Sequence, residues 1–276
     1  MTADPASNRL GAYLRARRAL VTPEQAGIPG GTTRRVAGLR REEVAMLAGI
    51  SADYYLRLER GRDIHPSGQV LDALARVLRL DDVERAYLHD LGEPRPRRRP
   101  RRRPEQVPDR LRMLLTTIGL PAFLEGRTYD VLASNELAVA FSPRLRPGEN
   151  RLRSLLLDPE EQAFHGEWSR AAAGFIATFR ESIRDDADDP RVVQLVGELS
   201  LSSGRFREVW ARHDVRVLEG GDSTVRHPFL GELRIHREKL PVDGLTLVVY
   251  YPDGAEAIEK FAMLASLAAS GGARIG

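Results

Sequence analysis

One face of a predicted helix carries side chains that can bond to the edges of nucleic-acid bases. Helical spacing over residues 52–60 places Tyr55 and Leu58 on one, core-facing side. The opposite side then carries four residues: Ala52, Asp53, Leu56 and Arg57. A guanidinium matches the O6 and N7 acceptors of guanine, a carboxylate accepts from cytosine N4, and apolar groups fit the thymine methyl. Arg57 is therefore the predicted guanine reader, whereas Asp53 either contacts cytosine or only shapes the helix start.

The residues before this helix predict a sharp corner between two helices. Arg41–Ala48 has the composition of a short helix, and Gly49 permits the left-handed backbone that such a corner needs. Ser51 is a good N-cap for the next helix, which runs from Ala52 to about Arg60. This arrangement predicts a helix-turn-helix, whose second helix enters the major groove of DNA.

Arginines flank the predicted corner on both sides. They are expected to contact phosphates, which adds affinity and register without sequence information. The predicted phosphate contacts are Arg34, Arg35, Arg40, Arg41, Arg60 and Arg62. Ser51 and Tyr54, at the start of the second helix, complete the predicted DNA-binding set.

Three segments are predicted along the chain. Residues 1–92 form an all-α domain of about five helices, and residues 93–107 form an arginine- and proline-rich linker that lacks apolar residues to bury. Seven arginines lie between Arg95 and Arg103. This run is either a solvated spacer or an additional DNA contact. Net charge divides the chain similarly, at +8 for residues 1–103 and −5 for the rest.

The remaining residues, 108–276, predict an α+β domain with one antiparallel sheet. Two short strands are expected around the glycine turn of AFLEGRTYDVLASN, and residues 159–183 and 190–213 are expected to be helical. A second group of strands is predicted at Val215–Leu218, Thr224–His227, Glu232–His236 and Thr246–Tyr251, before a closing helix at Ala255–Ala269.

The composition argues against several function classes. The chain has no cysteine and no histidine in a metal-ligand spacing, so neither a metal nor a cofactor is expected. His213 lies beside Asp214, but neither a nucleophile elbow nor a phosphate-cradling glycine loop accompanies the pair, so an enzyme is not expected. No apolar run is long enough for a membrane span or a signal peptide, which predicts a cytoplasmic protein.

Two runs in the front part of the chain resemble the Xre/Cro-type helix-turn-helix regulators of the MmyB-like family. They are GLRREEVAMLAGISADYYLRLERGR and HPSGQVLDALARVLRLDDVERAYLHDL. Three later segments resemble that family's ligand-binding domain: YDVLASN, DDPRVVQLVGELSLSSGRFREVWARHDV and RHPFLGEL. The likeness covers nearly the whole chain. It departs from the family at Ser134, where tryptophan would be expected.

The resemblance implies a transcription regulator with a PAS-like ligand-binding domain that takes a small hydrophobic, fatty-acid-like molecule. It implies that Glu59 pairs with Arg18 of the first helix. The expected ligand-site residues are Asn135, Trp210, His213 and Arg216, although the last three either border the pocket or only pack within the domain. The expected partners are double-stranded operator DNA and a second copy of the chain, because such heads read symmetric half-sites. The alternative is a rear domain that binds protein partners and takes no small molecule.

Overall fold

The computed structural model describes residues 9–29, 34, 36–62, 65–93, 105–217 and 220–272. The chain divides into two compact units. The first comprises Met1–Arg101 and Glu208–Arg216, and the second comprises Arg102–Arg207 and Val217–Gly276. The domain prediction had kept residues 108–276 together, whereas Glu208–Arg216 belongs by its contacts to the first unit. The linker prediction falls mostly on residues 94–104, which lie outside the described residues.

The first unit begins with five helices, which confirms the prediction of an all-α head. They are α1 (Arg9–Leu20), α2 (Arg41–Ala48), α3 (Ala52–Glu59), α4 (Gly68–Val77) and α5 (Asp82–Gly92). Their apolar faces meet in one core, in which Tyr13, Leu14, Val44, Tyr55 and Leu74 are completely buried.

Side chains and backbone geometry cap the ends of these helices. Asp81 precedes α5 as its N-cap, and its carboxylate accepts a hydrogen bond of 2.8 Å from the amide of Glu84. Between α2 and α3, Gly49 adopts the left-handed conformation, with φ at 70°. A side chain there would be strained, so this glycine fixes the corner of the helix-turn-helix.

The second unit contains a five-stranded antiparallel sheet. Its strands are β1 (Ala122–Glu125), β2 (Val131–Ser134), β3 (Gly221–His227), β4 (Gly231–Val242) and β5 (Leu245–Pro252), in the spatial order β2-β1-β5-β4-β3. The α+β prediction is confirmed. The expected strand at Val215–Leu218 is wrong over its described residues, because residues 215–217 have no strand pairing and Val215 lies in the core of the first unit.

Helices complete the second unit. They are α6 (Asp109–Thr117), α7 (Glu136–Phe141), α8 (Arg151–Leu157), α9 (Pro159–Phe164), α10 (Trp168–Ser182), α11 (Pro190–Ser202), α12 (Gly204–Ala211) and α13 (Ala255–Gly272), with a 3-10 turn at Pro143–Leu145. The pattern had not predicted α7 or α8, which have only six and seven residues. Helix α12 begins in the second unit and ends in the first.

Successive strand residues face opposite sides of the sheet, so its two faces carry different cores. On one face, Leu124 and Leu247 pack with Leu111 and Leu115 of α6. The other face carries an aromatic and aliphatic core that includes Phe123, Phe141, Val248, Tyr250 and Phe261. Charged side chains of the strands interrupt this second core.

Candidate nucleic-acid interface and ligand site

The predicted recognition helix, α3, is held by a serine cap and by two buried side chains. The Ser51 hydroxyl accepts a hydrogen bond of 3.1 Å from the amide of Tyr54, which satisfies a free donor of the first turn. Tyr55 and Leu58 are completely buried, as their spacing predicted. The burial of one face leaves the opposite face of α3 available to a partner.

The outward face of α3 carries the residues predicted to read bases. Ala52, Asp53 and Arg57 are exposed, and Leu56 is half-buried. The Arg57 Nη1 atom donates to the Asp53 carboxylate at 2.8 Å, across one turn of the helix. The guanidinium carbon also lies 5.5 Å from the centre of the Tyr54 ring. These two contacts orient Arg57 along the surface of the helix.

Glu59 anchors the end of α3. Its carboxylate is only 1% exposed and accepts from Arg18 Nε and from Arg41 Nε, each at 2.6 Å. The Arg18–Glu59 pair confirms the expectation from the resemblance. The hydrogen bond to Glu59 raises the pKa of Arg41, whose side chain remains 45% exposed. Arg41 therefore connects α2 to α3, and its predicted phosphate contact stays a prediction.

The other flanking arginines differ in how freely they can reach DNA. Arg40, Arg60 and Arg62 are exposed. Arg34 instead donates to Glu43 at 2.6 Å, and this hydrogen bond holds the pKa of the glutamate below its usual range. Arg35 lies outside the described residues.

Asn135, a predicted ligand residue, holds a turn of the second unit together. Its side-chain oxygen accepts from the amides of Ala122 at 3.1 Å and Ala138 at 2.9 Å. Its side-chain nitrogen donates to the carbonyls of Leu120 at 2.7 Å and Ile118 at 3.1 Å. The structure thus gives Asn135 a positioning role between β2 and α7, and its ligand contact stays a prediction.

The other three predicted ligand residues, Trp210, His213 and Arg216, lie in the segment assigned to the first unit, apart from the unit of Asn135. Trp210 and His213 are half-buried, and Arg216 is exposed. The His213 ring lies 6.3 Å from the ring of Tyr13 on α1. The ligand contacts of these three residues, like that of Asn135, stay predictions.

Sequence reasoning missed a buried group of charges in the second unit. Glu125 of β1 is completely buried, and its two oxygens accept from Arg151 Nη1 at 2.8 Å and from Lys239 Nζ at 3.1 Å. Arg151 Nη2 also donates to the Tyr250 hydroxyl at 2.9 Å. The sequence offered two signals of this group. A carboxylate ends the otherwise apolar strand AFLE, and Lys239 is one of only two lysines in the chain.

Aromatic rings surround these charges. The Arg151 guanidinium carbon lies 4.8 Å from the centre of the Phe123 ring and 4.9 Å from that of Phe175. The Phe175 ring also lies 5.4 Å from Lys239 Nζ and 5.8 Å from the guanidinium carbon of Arg237. The faces of these rings attract cations, so they partly replace the water that burial removes. We call Glu125, Arg151, Arg237, Lys239 and Phe175 the charged cluster.

Burial and charge act oppositely on the groups of the charged cluster. Burial lowers the pKa of Lys239 to about 8, even though the negative charge of Glu125 favours its protonated form. Burial alone would raise the pKa of Glu125, but Lys239 and Arg151 outweigh that effect and hold it below the usual value. The Nε atom of Arg237 is buried, and no described residue offers it a hydrogen-bond partner. The cluster thus has more cationic than anionic groups and one unused donor.

Comparison with known families identifies both halves of the chain. Residues 9–88 match the model of a helix-turn-helix domain, and residues 107–264 match that of the MmyB-like transcription regulator ligand binding domain. The second match covers more than half of the chain. The protein belongs to the MmyB-like transcription regulators. No curated protein matches the chain significantly.

This MmyB-like regulator combines a DNA-binding head with a ligand-binding domain, so it is a ligand-regulated transcription regulator. Its finer assignment to the Xre/Cro type stays a prediction. Within the described part of this MmyB-like chain, no helix is both long and apolar enough to cross a bilayer. Over the same residues, no three histidine, aspartate or glutamate side chains are grouped to hold a metal ion.

Proposed function

We propose that this regulator binds a specific operator through the outward face of α3, as a symmetric dimer. The observation that carries the proposal is the exposed Arg57, oriented by Asp53 on a helix whose other face is buried. A guanidinium held in this way presents its donors to guanine in the major groove. Two heads would read half-sites about 34 Å apart, or a multiple of that spacing.

Selection from a random pool of duplexes tests this proposal. We expect the full-length protein to enrich a palindromic sequence with guanine at one position in each half-site. Binding that is equally strong to the enriched duplex and to a scrambled one would contradict sequence-specific recognition. Sedimentation of the complex would report whether two copies bind each site.

We also propose that the ligand is a hydrophobic molecule with an anionic end, as in a fatty acid, and that the charged cluster holds this end. Two observations support an anionic group: Arg237 has a buried donor that pairs with none of the described residues, and cations are in excess in the cluster. Phe175 and the neighbouring aromatic core would contact the apolar part. This location differs from the four residues predicted from the sequence.

The charge of the ligand can be tested with two probes of equal chain length. We expect dodecanoate to raise the melting temperature of the full-length protein, and dodecanol to raise it much less. Arg237→Met should abolish the difference between the two probes, while Arg234→Met, which changes an exposed arginine of the same strand, should preserve it. Equal shifts with the acid and the alcohol would argue against an anion site.

A rear domain that binds protein partners is the second candidate. It is favoured by α11, on which Val193 is 57% exposed and Leu201 is 85% exposed. These positions are eight residues apart and so share one face of the helix. If neither probe binds and Leu201→Glu changes the oligomeric state or abolishes a partner complex, this candidate replaces the ligand proposal.

A further inference from the structure

The segment Glu208–Arg216, which we call the clip, is assigned to one half of the protein by its sequence and to the other half by its contacts. By sequence it lies inside the ligand-binding match at residues 107–264. By its contacts it belongs to the first unit, together with the helices of the DNA-binding head. We propose that the clip is the element through which the ligand-binding domain adjusts the recognition helix α3. This inference rests on the proposed function for its effect on DNA.

The clip contributes an apolar side chain to the core of the head. Val215 is only 2% exposed and packs in the cluster that contains Tyr13, Leu14 and Leu88. Two residues later, Val217 is 47% exposed. The burial of Val215 therefore reflects a specific docking position, because a chemically identical neighbour is left in solvent.

A reversal of the chain brings Val215 to that position. His213 follows the end of α12 and has a φ of 57°, the left-handed conformation that few side chains adopt. Its amide donates to the carbonyl of Trp210 at 3.2 Å, which closes the turn. The His213 ring then packs edge-on against Tyr13, which itself packs on Tyr87 of α5 at 5.3 Å.

An ion pair also holds the clip against the helices of the head. Arg17 of α1 donates to Asp214 at 3.0 Å and forms a second ion pair with Glu84 of α5 at 2.6 Å. Asp214 also pairs with Arg212 of the clip at 3.1 Å. One guanidinium therefore connects the clip to two helices of the head.

Helix α1 contacts both the clip and α3, and two consecutive arginines take part in these contacts. Arg18 follows Arg17 and holds the buried carboxylate of Glu59. Gly11, also on α1, packs so closely on α3 that a Cβ atom there would lie 2.3 Å from the Glu59 carbonyl oxygen. Displacement of α1 must therefore change the support of α3, because no gap separates the two backbones.

The clip is small enough to separate while the rest of the head stays folded. Among the described side chains of the clip, Val215 alone belongs to the core of the head, and the ion pair beside it includes an aspartate that is 26% exposed. Its chain enters from the second unit at Glu208 and returns there at Val217. A ligand of the second unit that favours one arrangement of the two ends of the clip, at Glu208 and Val217, would change the fraction of molecules in which the clip is docked on the head.

Two pairs of variants of the full-length protein test the inference. Val215→Ser removes the apolar anchor, and Val217→Ser is its exposed control. Asp214→Asn weakens the ion pair without creating a cavity, and Asp222→Asn, in a hydrogen bond to His236 on the surface of the second unit, is its control. Hydrogen exchange of peptides from α1 and α3 is measured by mass spectrometry, without DNA. Affinity for the selected operator is measured separately.

We expect both clip variants to increase exchange in α1 and α3 and to weaken operator binding by about 5-fold or more, the lower range of allosteric coupling, while both controls match the wild type. Unchanged exchange in α3 for Asp214→Asn would overturn the inference, even if Val215→Ser fails to fold. Faster exchange in α3 with unchanged operator affinity would also overturn it. If the wild type selects no operator but both clip variants still increase exchange in α3, the coupling between the clip and α3 is supported and the proposed operator binding is wrong.

Discussion

The Glu59 carboxylate, at the end of α3, lies 2.6 Å from the guanidinium of Arg18 in α1 and is almost completely shielded from water. The pair connects α1 and α3 through two residues that are 41 positions apart in sequence. A buried charge is tolerated only when a partner compensates it. The position of α3 and of its outward face therefore depends on a buried ion pair on the other side of the helix.

Replacement of Glu59 by glutamine should destabilise the head. The variant keeps the size of the side chain but leaves Arg18, with a side chain only 16% exposed, without its counter-charge. We expect a loss of about 3 kcal/mol in the free energy of unfolding, as for other broken buried pairs. Global exchange of the α1 amides under native conditions measures this loss. Glu42→Gln, at an exposed position of α2, should change it by less than about 0.5 kcal/mol.

Loss of the Ser51 cap should have a smaller and more local effect. Ser51→Ala leaves the Tyr54 amide without its hydrogen bond of 3.1 Å, which should cost about 1 kcal/mol. Ser51→Asp should retain most of the stability, because a carboxylate can accept the same bond and suits a helix N-terminus. Denaturant midpoints of the three proteins test the order. Equal midpoints for serine and alanine would show that the cap contributes nothing here.

Arg57 and Arg62 should affect DNA binding in different ways. Arg57→Ala should weaken binding to the selected operator by roughly 1–3 kcal/mol and leave binding to random duplex nearly unchanged, because it removes a base contact. Arg62→Ala should weaken binding to both duplexes equally and reduce the salt dependence, because it removes a phosphate contact. Titrations at several salt concentrations separate the two effects. Similar losses on both duplexes for Arg57→Ala would mean that another face of α3 reads the bases.

The head was predictable because local rules determine it. Gly49 and Ser51 act within one turn of chain, and the spacing of Tyr55 and Leu58 reports burial directly. Neither a distant strand nor a partner is needed to form these features. The predicted corner, cap and core positions are accordingly all present.

The ligand-binding domain was less predictable because the charged cluster, its proposed ligand site, is assembled from distant positions. Glu125 and Lys239 are 114 residues apart and meet only because β1 and β4 both pair with β5. The expected strand at Val215 failed for a related reason. A short apolar run has the same pattern whether it enters a sheet or docks into another core.

Stability should increase with pH in a window set by Lys239. Its pKa is about 8 in the folded protein, below the value of about 10.4 for an exposed lysine. Between these values the unfolded chain binds more protons than the folded one, so the free energy of unfolding rises with pH, by at most about 1.4 kcal/mol per unit. Denaturation between pH 8 and 9 should show this rise, because at higher pH the tyrosines of the unfolded chain, with a pKa of about 10, begin to lose protons. Lys239→Met should remove it, and Lys260→Met, which changes the only other lysine, should retain it. The same slope in the wild type and in Lys239→Met would show that Lys239 titrates normally and that the charged cluster is open to water.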